Sequence, residues 1–493
     1  MLLSRCIFLL SLIVSMAFSW AGAQTETSKR THLVSLKLDR KQIRDIASWK
    51  IRFVGGSESD STLALVTPAE MGLLQERGYD FEEIMQSDDE LTLIKRAIYG
   101  PSLQISGVYH TYDEIKAELK ELQRRYPGRI RVLPIGRTSQ EGRDILAVKI
   151  SERVDREEDE PTILFSGAIH ADELAGTEIC MTLIHRLLEQ ADSDAAVQRW
   201  LDQSAIWFIP VINVDGHRIV TESIDPRWRK NTRDVNGNGV LDAGDGIDLN
   251  RNFDFNWAHG GSEDSLSGRY RGEFPFSEAE CRAVRDLAIA QKFVLSVTYH
   301  SQGQVIYYPW DWRGHKAPDD AVLTRLAQGL AGSICTLKGD TTYKAEYGAG
   351  TVGQTYPWLY GRLGTLDFVV ETGRGRHIFS DSDLQKIIDC NLPGAYYMLD
   401  QLLAGPGLTG QVLDAKTGKP IAADIVFPNL DNEQIDRRRA DSRYGRFYRF
   451  LPPGSHRMLV SAPGYQPLVV KNAQVSESGW TGFDVRLQPV RKK

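Results

Sequence analysis

The chain has 493 residues, of which 42% are hydrophobic and 25% charged, and its formal net charge is −6. This composition is typical of a globular protein with more than one domain, and it excludes a mostly disordered chain. Basic residues form no stripe with interleaved aromatics, so we expect no nucleic-acid partner.

The first 23 residues have the pattern of a secretory signal. Arg5 precedes an apolar stretch, and Ala21-Gly22-Ala23 forms an A-x-A cleavage site. We predict cleavage after Ala23 and a mature protein that is secreted or periplasmic. An uncleaved membrane anchor is the alternative, and no second apolar segment approaches membrane-spanning length.

Residues 24–100 are predicted to form a small α/β unit and a linker. HLVSLKL and LALVT are typical of strands, whereas DRKQIRDIAS and PAEMGLLQERG are typical of short helices. The position of this unit suits a pro-segment that covers an active site. A permanent accessory domain is the alternative.

Residues 101–404 alternate strands with helices. ILAVKI, TILFSGAI, SAIWFIPVI, FVLSVTYH and TLDFVVE are apolar strand candidates, which predict a mixed, mostly parallel sheet with helices on both faces. After the linker Gly405-Pro406-Gly407, short strands with Gly/Pro turns predict a small β-sandwich over residues 407–493.

Four cysteines remain after signal cleavage: Cys180, Cys281, Cys335 and Cys390. They lack the close spacing of a disulfide framework, and Cys180 and Cys281 sit in helix-like apolar patterns, so we expect these two to be buried free thiols. The sequence leaves a Cys335–Cys390 bridge open.

The motif His170-Ala171-Asp172-Glu173 follows the predicted strand TILFSG. His and Glu at this spacing can both bind Zn²⁺, and His300, at the end of another apolar strand, is the best third ligand. Two His and one Glu define a catalytic rather than a structural zinc site. A histidine at a strand end that serves only the structure is the alternative for His300.

A catalytic zinc site also requires a base. Glu371 ends the apolar strand Leu366–Val370, so partial desolvation would raise its pKa into a useful range. A surface ion pair is the alternative. The segments WRK and DLNRNF add arginines, which bind carboxylates bidentately and stabilise oxyanions.

The motifs GAIHADE, NVDG, WRK, DLNRNF, YHSQG, YPW and VVETG, in this order, resemble the zinc metallocarboxypeptidases (M14, carboxypeptidase A-type) over residues 109–403. The resemblance implies one Zn²⁺ bound by His170, Glu173 and His300, with Glu371 as general base and acid. It implies further roles as follows: Arg229 polarises the scissile carbonyl, Asn250 and Arg251 bind the substrate carboxylate, Asp248 orients His170, and Tyr347, or alternatively Tyr343, closes over the substrate.

The segments GQVLDAKTGKPIAADI and LPPGSHRMLVSAPGY are similar to the transthyretin-like domain of the regulatory (N/E-type) branch of that family. Asp311 falls where basic-specific members of this branch carry an acid, which implies a preference for C-terminal Lys or Arg. Residues 30–85 are instead more like the pro-regions of the digestive-type branch.

One insertion resembles an EF-hand calcium loop. Its oxygen-bearing positions are Asp234, Asn236, Asn238, Val240 (through its carbonyl), Asp242 and Asp245, and Gly239 stands at the sharp turn. We expect it to bind Ca²⁺ weakly, because Asp replaces the final Glu. An Asn/Gly-rich turn is the alternative.

The sequence therefore predicts an exported, monomeric zinc carboxypeptidase that acts on peptide or protein C-termini. Cleavage of cell-wall peptides that contain diaminopimelate is an alternative with the same chemistry. A catalytically inactive peptide-binding protein is a second alternative, and it would lack a ligand or the base.

Overall fold

The computed structural model describes residues 31–38, 42, 45–46, 49, 51–55, 62–87, 108–348, 352–375 and 377–490. The predicted signal, residues 1–23, lies outside these ranges. The chain divides into two compact units: residues 1–104, 223–225 and 234–245 form one, and residues 105–222, 226–233 and 246–493 form the other.

The first unit contains an antiparallel sheet in the order β2-β3-β1-β4. Its elements are β1 (Thr31–Leu36), β2 (Arg52–Gly55), β3 (Thr62–Val66), α1 (Pro68–Glu76) and β4 (Phe81–Ser87). The Thr67 side chain accepts from Glu70 N, and Glu70 accepts from Thr67 N, which makes a capping box that starts α1. The predictions for β1, β3 and α1 are confirmed; the helix predicted over DRKQIRDIAS lies mostly outside the described residues.

The larger unit is built on an eight-stranded sheet in the order β13-β10-β14-β9-β7-β8-β6-β5. The strands are β5 (Ile130–Arg137), β6 (Asp144–Ile150), β7 (Thr162–Ser166), β8 (Ala205–Ile209), β9 (Leu295–Ser301), β10 (Val305–Tyr308), β13 (Lys344–Tyr347) and β14 (Leu366–Thr372), and the ribbon strands β11 (Asp311–Trp312) and β12 (His315–Lys316) stand apart. The four central strands β8, β7, β9 and β14 are mutually parallel and the edges are mixed, as predicted.

Helices surround this sheet. They are α2 (Tyr112–Arg125), α3 (Ala175–Glu189), α4 (Ala195–Gln203), α5 (Val214–Thr221), α6 (Ala279–Gln291), α7 (Asp320–Gly332), α8 (Thr355–Trp358) and α9 (Asp381–Ala404). The apolar side chains of the helices and of the sheet share one buried core. None of the helices in the described ranges is long and apolar enough to cross a membrane.

Residues 407–490 form two small sheets with their own apolar core, which is the predicted sandwich. One sheet is β18-β15-β21, with β22 also paired to β15, and the other is β17-β16-β19-β20. The strands are β15 (Gly407–Asp414), β16 (Asp424–Val426), β17 (Arg438–Arg439), β18 (Arg446–Phe450), β19 (Gly454–Ser461), β20 (Leu468–Val475), β21 (Trp480–Gly482) and β22 (Val485–Leu487).

The structure shows how the cysteines pair. Cys180 and Cys281 are buried free thiols as expected, and Cys335 and Cys390, whose pairing the sequence left open, form a disulfide. Their Cα atoms lie 5.1 Å apart, which suits a bridge. The chain just after α7 lies beside α9, and spacing along the sequence does not reveal this proximity.

Candidate metal centre and active site

The candidate site lies at the carboxyl ends of three neighbouring parallel strands. β7 leads into the segment that carries His170 and Glu173, β9 carries His300, and β14 carries Glu371. His300 and Glu371 are directly paired in the register of β9 and β14. Because parallel strands end at the same edge of a sheet, side chains far apart in sequence meet here.

His170, Glu173 and His300 form one buried cluster of possible metal ligands. The two Nδ1 atoms of the histidines lie 3.1 Å apart. Glu173 contacts both rings, with Oε1 2.9 Å from Nδ1 of His170 and Oε2 2.7 Å from Nδ1 of His300. The structure therefore brings the three predicted ligands together.

These residues fit a zinc ion. Two nitrogens bound to a tetrahedral Zn²⁺ at about 2.0–2.1 Å stand about 3.3 Å apart, which is close to the separation of the two Nδ1 atoms. Burial raises the pKa of Glu173, but the two histidines outweigh this effect and hold its pKa well below its usual range. An ionised carboxylate and two imidazole nitrogens make a suitable donor set.

Asp248 lies beside the His170 ring, on the side away from Glu173. Its Oδ1 lies 3.2 Å from Nε2 of His170 and also accepts from the backbone nitrogen of Asn250. Although burial acts to raise it, the pKa of Asp248 is held far below its usual range by Arg251 and Arg229. An ionised Asp248 can accept a proton from Nε2, and in that tautomer the lone pair of Nδ1 is left for a metal. Nη2 of Arg229 lies 2.9 Å from the same Nε2.

Arg229 is part of the cluster. Its Nη1 donates to Oε1 of Glu173 at 3.0 Å, and its side chain keeps 27% of its surface exposed. Its backbone is held by Ala171 N, which donates to the Arg229 carbonyl, and by Asn213 Nδ2, which donates to the Lys230 carbonyl at 3.0 Å. The sequence interpretation gave Asn213 no role, although the motif NVDG contains it.

Asn250 is fixed by a residue that the sequence interpretation missed. Thr355 donates to Oδ1 of Asn250 from both its backbone nitrogen, at 3.0 Å, and its hydroxyl, at 2.9 Å. Oδ1 is therefore the accepting end, and the amide nitrogen turns towards His300 Nε2 at 3.4 Å. Arg251 follows in the same turn and is 5% exposed.

Glu371 stands at the end of β14, beside His300. Burial raises its pKa to about 7, and the Glu173 carboxylate adds to this effect while His300 and Arg229 oppose it. Gly303 faces it so closely that an added Cβ would lie 3.1 Å from the Glu371 Cβ. A carboxyl group with this pKa can both accept and return a proton near neutral pH.

Tyr347, Tyr343 and Asp311 are not brought to the cluster. The Tyr347 hydroxyl donates to Asp320 at 2.7 Å and accepts from Lys316 at 2.6 Å. The Tyr343 hydroxyl accepts from Gly373 N and is buried. Asp311 is exposed in the β11–β12 ribbon.

Asp172 and His377 lie beside the predicted ligands. His377 Nδ1 is 2.9 Å from Asp172 Oδ2, and together with Glu173 they form a second close group of possible ligands. Asp172 stands inside the HADE motif, but nothing in the sequence pairs it with His377.

The predicted calcium loop, described by itself, is closed by its own hydrogen bonds. Asp234 accepts from the backbone nitrogens of Gly237, Asn238 and Gly239. The side-chain amides of Asn236 and Asn238 donate to Asp242 Oδ2 at 3.0 and 2.9 Å.

Comparison with known proteins identifies the family. The model of the zinc carboxypeptidase family (Peptidase M14) matches residues 115–393, and that of the carboxypeptidase regulatory-like domain matches residues 407–488. The first match spans more than half of the chain. The chain therefore belongs to the zinc carboxypeptidase family, and it is a hydrolase that acts on peptides.

Curated relatives agree with this assignment. Carboxypeptidase B of Astacus astacus is 34% identical over 263 residues, which is 52% of this chain and 83% of the relative. Carboxypeptidase D of Mus musculus is 26% identical over 401 residues, which is 75% of this chain but only 26% of that longer protein.

Solved structures show the same fold. Thrombin-activatable fibrinolysis inhibitor matches with a TM-score of 0.54 at 20% identity, over 76% of this chain and 99% of that one. Carboxypeptidase A from Helicoverpa armigera matches with a TM-score of 0.52 at 19% identity, over 76% of this chain and 96% of that one.

Proposed function

We propose that this chain is an exported, zinc-dependent carboxypeptidase that removes the C-terminal residue of peptides through the cluster described above. The observation that carries the proposal is the convergence of His170, Glu173 and His300 beside Glu371 at one sheet edge. Export rests on the sequence of residues 1–23 alone.

Each residue has a proposed task. Asn250 and Arg251 bind the carboxylate of the substrate, and Arg229 donates to the oxygen on which negative charge develops. Glu371 takes a proton from the attacking water and returns it to the departing amine. Zinc, when bound, supplies Lewis-acid polarisation of the water and the carbonyl.

The first test is a Glu371→Gln substitution. It removes the proton acceptor but leaves the three metal ligands, so zinc content should stay at one per chain while peptide trimming falls by about 10²–10⁴-fold. Mass spectrometry of peptides that end in Lys, Arg, Phe, Glu or diaminopimelate reads out the loss of one residue. Equal trimming by the variant would refute the role of Glu371.

A preference for C-terminal Lys or Arg is a separate proposal that depends on the Asp311 carboxylate. Asp311 is exposed, and exposed charges attract weakly, so Asp311→Asn should lower the Lys/Phe ratio of kcat/KM by about two- to fivefold. An unchanged ratio would remove Asp311 from the specificity pocket.

We also propose that the N-terminal unit is a pro-segment and that the loop at 234–245 binds Ca²⁺. Controlled proteolysis between residues 88 and 107 should then raise the rate of trimming.

Millimolar Ca²⁺ should raise the melting temperature of wild type but not that of Asp242→Asn. Burial, together with the carboxylates of Asp242 and Asp234, raises the pKa of Asp245 to about 6. A bound cation would relieve the repulsion between these carboxylates.

A further inference from the structure

The proposed active site draws its substrate-binding residues from two segments of the larger unit. Arg229 belongs to residues 228–233, which we call the arginine arm. Asn250 and Arg251 belong to residues 246–252, which we call the carboxylate arm. The predicted calcium loop separates the two arms in the sequence, so their spacing depends on contacts between them.

Asn231 joins the two arms directly. Its backbone nitrogen donates to the Ile247 carbonyl at 3.1 Å, and its side-chain Oδ1 accepts from the Ile247 nitrogen at 2.7 Å. One step further along, Gly246 N donates to the Arg233 carbonyl at 2.8 Å. Asn231 is 1% exposed, so water does not compete for these bonds. The side chain of Asn231 therefore adds a bond between the arms that the backbone alone would not make.

Glu278, at the N-terminal end of α6, contacts both arms. Its Oε2 accepts from Nδ2 of Asn231 at 2.8 Å, and its Oε1 accepts from Nη1 of Arg233 at 3.1 Å. Its backbone nitrogen donates to Oδ1 of Asn252 at 3.1 Å. Ser277 strengthens the link, because its hydroxyl accepts from Nδ2 of Asn252 at 2.8 Å and donates to Oε1 of Glu278 at 2.9 Å. Glu278 thus bonds the arginine arm through its side chain and the carboxylate arm through its backbone.

The burial of Glu278 makes this arrangement rigid. The residue is 0% exposed, and a buried carboxylate costs free energy unless it is paired and hydrogen-bonded. Glu278 meets both conditions through Arg233 and Asn231. The arginine arm cannot move away from α6 without leaving this charge unpaired, so the network favours one spacing of the two arms.

We propose that Asn231 and Glu278 are positioning residues that fix the distance between Arg229 and the Asn250–Arg251 pair. This inference rests on the proposed function, in which those arginines and Asn250 contact the substrate. The scissile carbonyl and the terminal carboxylate of a peptide are separated by one residue, so the two arms must match that distance for the reaction to proceed. Asn231 and Glu278 act through the arms and do not themselves touch the substrate.

The test reverses the hydrogen bond between the two side chains in the zinc-loaded full chain. Asn231→Asp keeps the acceptor for Ile247 N but places a carboxylate against that of Glu278, so a hydrogen bond becomes a repulsion. At pH 8 we expect kcat for peptide trimming to fall by about ten- to hundredfold. KM should change by no more than about threefold, because the substrate carboxylate still binds the carboxylate arm while its scissile carbonyl is misplaced from Arg229. Zinc content should stay at one per chain, since the three metal ligands lie on other segments.

The double variant Asn231→Asp, Glu278→Gln restores the bond in the opposite direction. The new amide donates to the introduced carboxylate, and its oxygen still accepts from Arg233, while the net charge equals that of wild type. We expect kcat to return to within about threefold of the wild-type value, which is the pattern of two directly coupled residues. A double variant as slow as Asn231→Asp would overturn the proposal.

The control for a loss of stability alone is Ser204→Ala. It removes a buried hydrogen bond of 2.7 Å from the Ser204 hydroxyl to the Trp200 carbonyl, at the end of α4. This variant should melt at a lower temperature and keep the wild-type kcat when both are assayed well below melting. An equal loss of kcat in Ser204→Ala and Asn231→Asp would overturn the proposal.

The outcomes separate this inference from the proposed function. Wild type that trims no peptide would refute the proposed function, and this inference with it. Wild type that trims peptides while Asn231→Asp trims them equally fast would overturn this inference alone. If Asn231→Asp does not fold, Asn231→Ser decides, because it removes the same side-chain bonds without adding a charge; an unchanged kcat in that variant would overturn the proposal.

Discussion

At the scale of single residues, Thr355 controls how the site presents Asn250. Replacing Thr355 with Val removes the hydroxyl bond at 2.9 Å and keeps the backbone bond at 3.0 Å. The side-chain amide of Asn250 then loses one of its two hydrogen bonds from Thr355, and the lost bond is worth about 1 kcal/mol. We therefore expect kcat/KM to fall about fivefold, mainly through a higher KM. Steady-state kinetics on one peptide measure this change.

Thr355→Ser is the control for that prediction, because serine keeps the hydroxyl and loses only a methyl group. It should retain near-wild-type KM. If both variants behave alike, packing rather than the hydrogen bond to Asn250 explains the effect.

His217 on α5 predicts a pH dependence of stability. It is fully buried, and neither ring nitrogen has a hydrogen-bond partner among the described residues. Burial lowers its pKa from 6.5 to about 3. Between these values the unfolded chain binds more protons than the folded one, so this group's contribution to stability is fully present above pH 6.5 and is lost as the pH falls towards 3.

The corresponding variant is His217→Leu. This variant should reduce the slope of the free energy of unfolding against pH, between pH 6.5 and 3, by up to about 1.4 kcal/mol per pH unit. The free energy of unfolding at pH 7 should change little, since no hydrogen bond is removed. Urea unfolding at a series of pH values measures this. The exposed His315→Leu is the control, and an unchanged slope in His217→Leu would contradict the prediction.

The meeting of His170, Glu173, His300 and Glu371 could be predicted from the sequence because each follows or ends an apolar strand. Asp248 lies far from any strand in the sequence, so only the family resemblance placed it beside His170. Tyr347 and Asp311 show where this reasoning ends. Their positions depend on the path of β13 and of the β11–β12 ribbon, which the sequence does not reveal. The Tyr347 hydroxyl, for example, donates a hydrogen bond to Asp320. Thr355 is similarly defined only by its contact with Asn250.

At the scale of elements, the disulfide joins the segment after α7 to α9. Cys335 and Cys390 are 55 residues apart. Closing a loop of this size lowers the conformational entropy of the unfolded chain, which stabilises the folded state by about 4 kcal/mol. The double variant Cys335→Ser, Cys390→Ser should therefore unfold at a lower denaturant concentration than wild type. Addition of dithiothreitol should destabilise wild type but not the variant; equal sensitivity would argue against this bridge.

The central strands β7, β8, β9 and β14 could be predicted because they are continuous apolar runs. The strands that the sequence did not reveal include β2, β4, β5, β10, β13 and β20. β20 is largely exposed, and β4 reads Phe-Glu-Glu-Ile-Met-Gln-Ser, so neither has the apolar content of a buried strand. Such strands are determined by pairing with a neighbour rather than by their own pattern.

At the scale of the whole molecule, Trp480 on β21 ties the sandwich to α9. Its Nε1 donates to the Leu402 carbonyl at 2.9 Å, and its ring packs against Phe450 with 4.7 Å between centres. Trp480→Ala should cost about 2 kcal/mol and separate the unfolding of the sandwich from that of the catalytic domain. Calorimetry would then show two transitions in place of one; a single transition at the wild-type temperature would contradict this.

The direct pairing of His300 with Glu371 has a consequence for engineering. Side chains on a strand alternate between faces, so one residue inserted before either position within β9 or β14 would turn that side chain away from its partner. Insertions within the connections between the strands carry no such penalty. A tag, a reporter or a second binding module should therefore be placed in a connection that carries none of the residues of the cluster, and the two strands should be left at their present length.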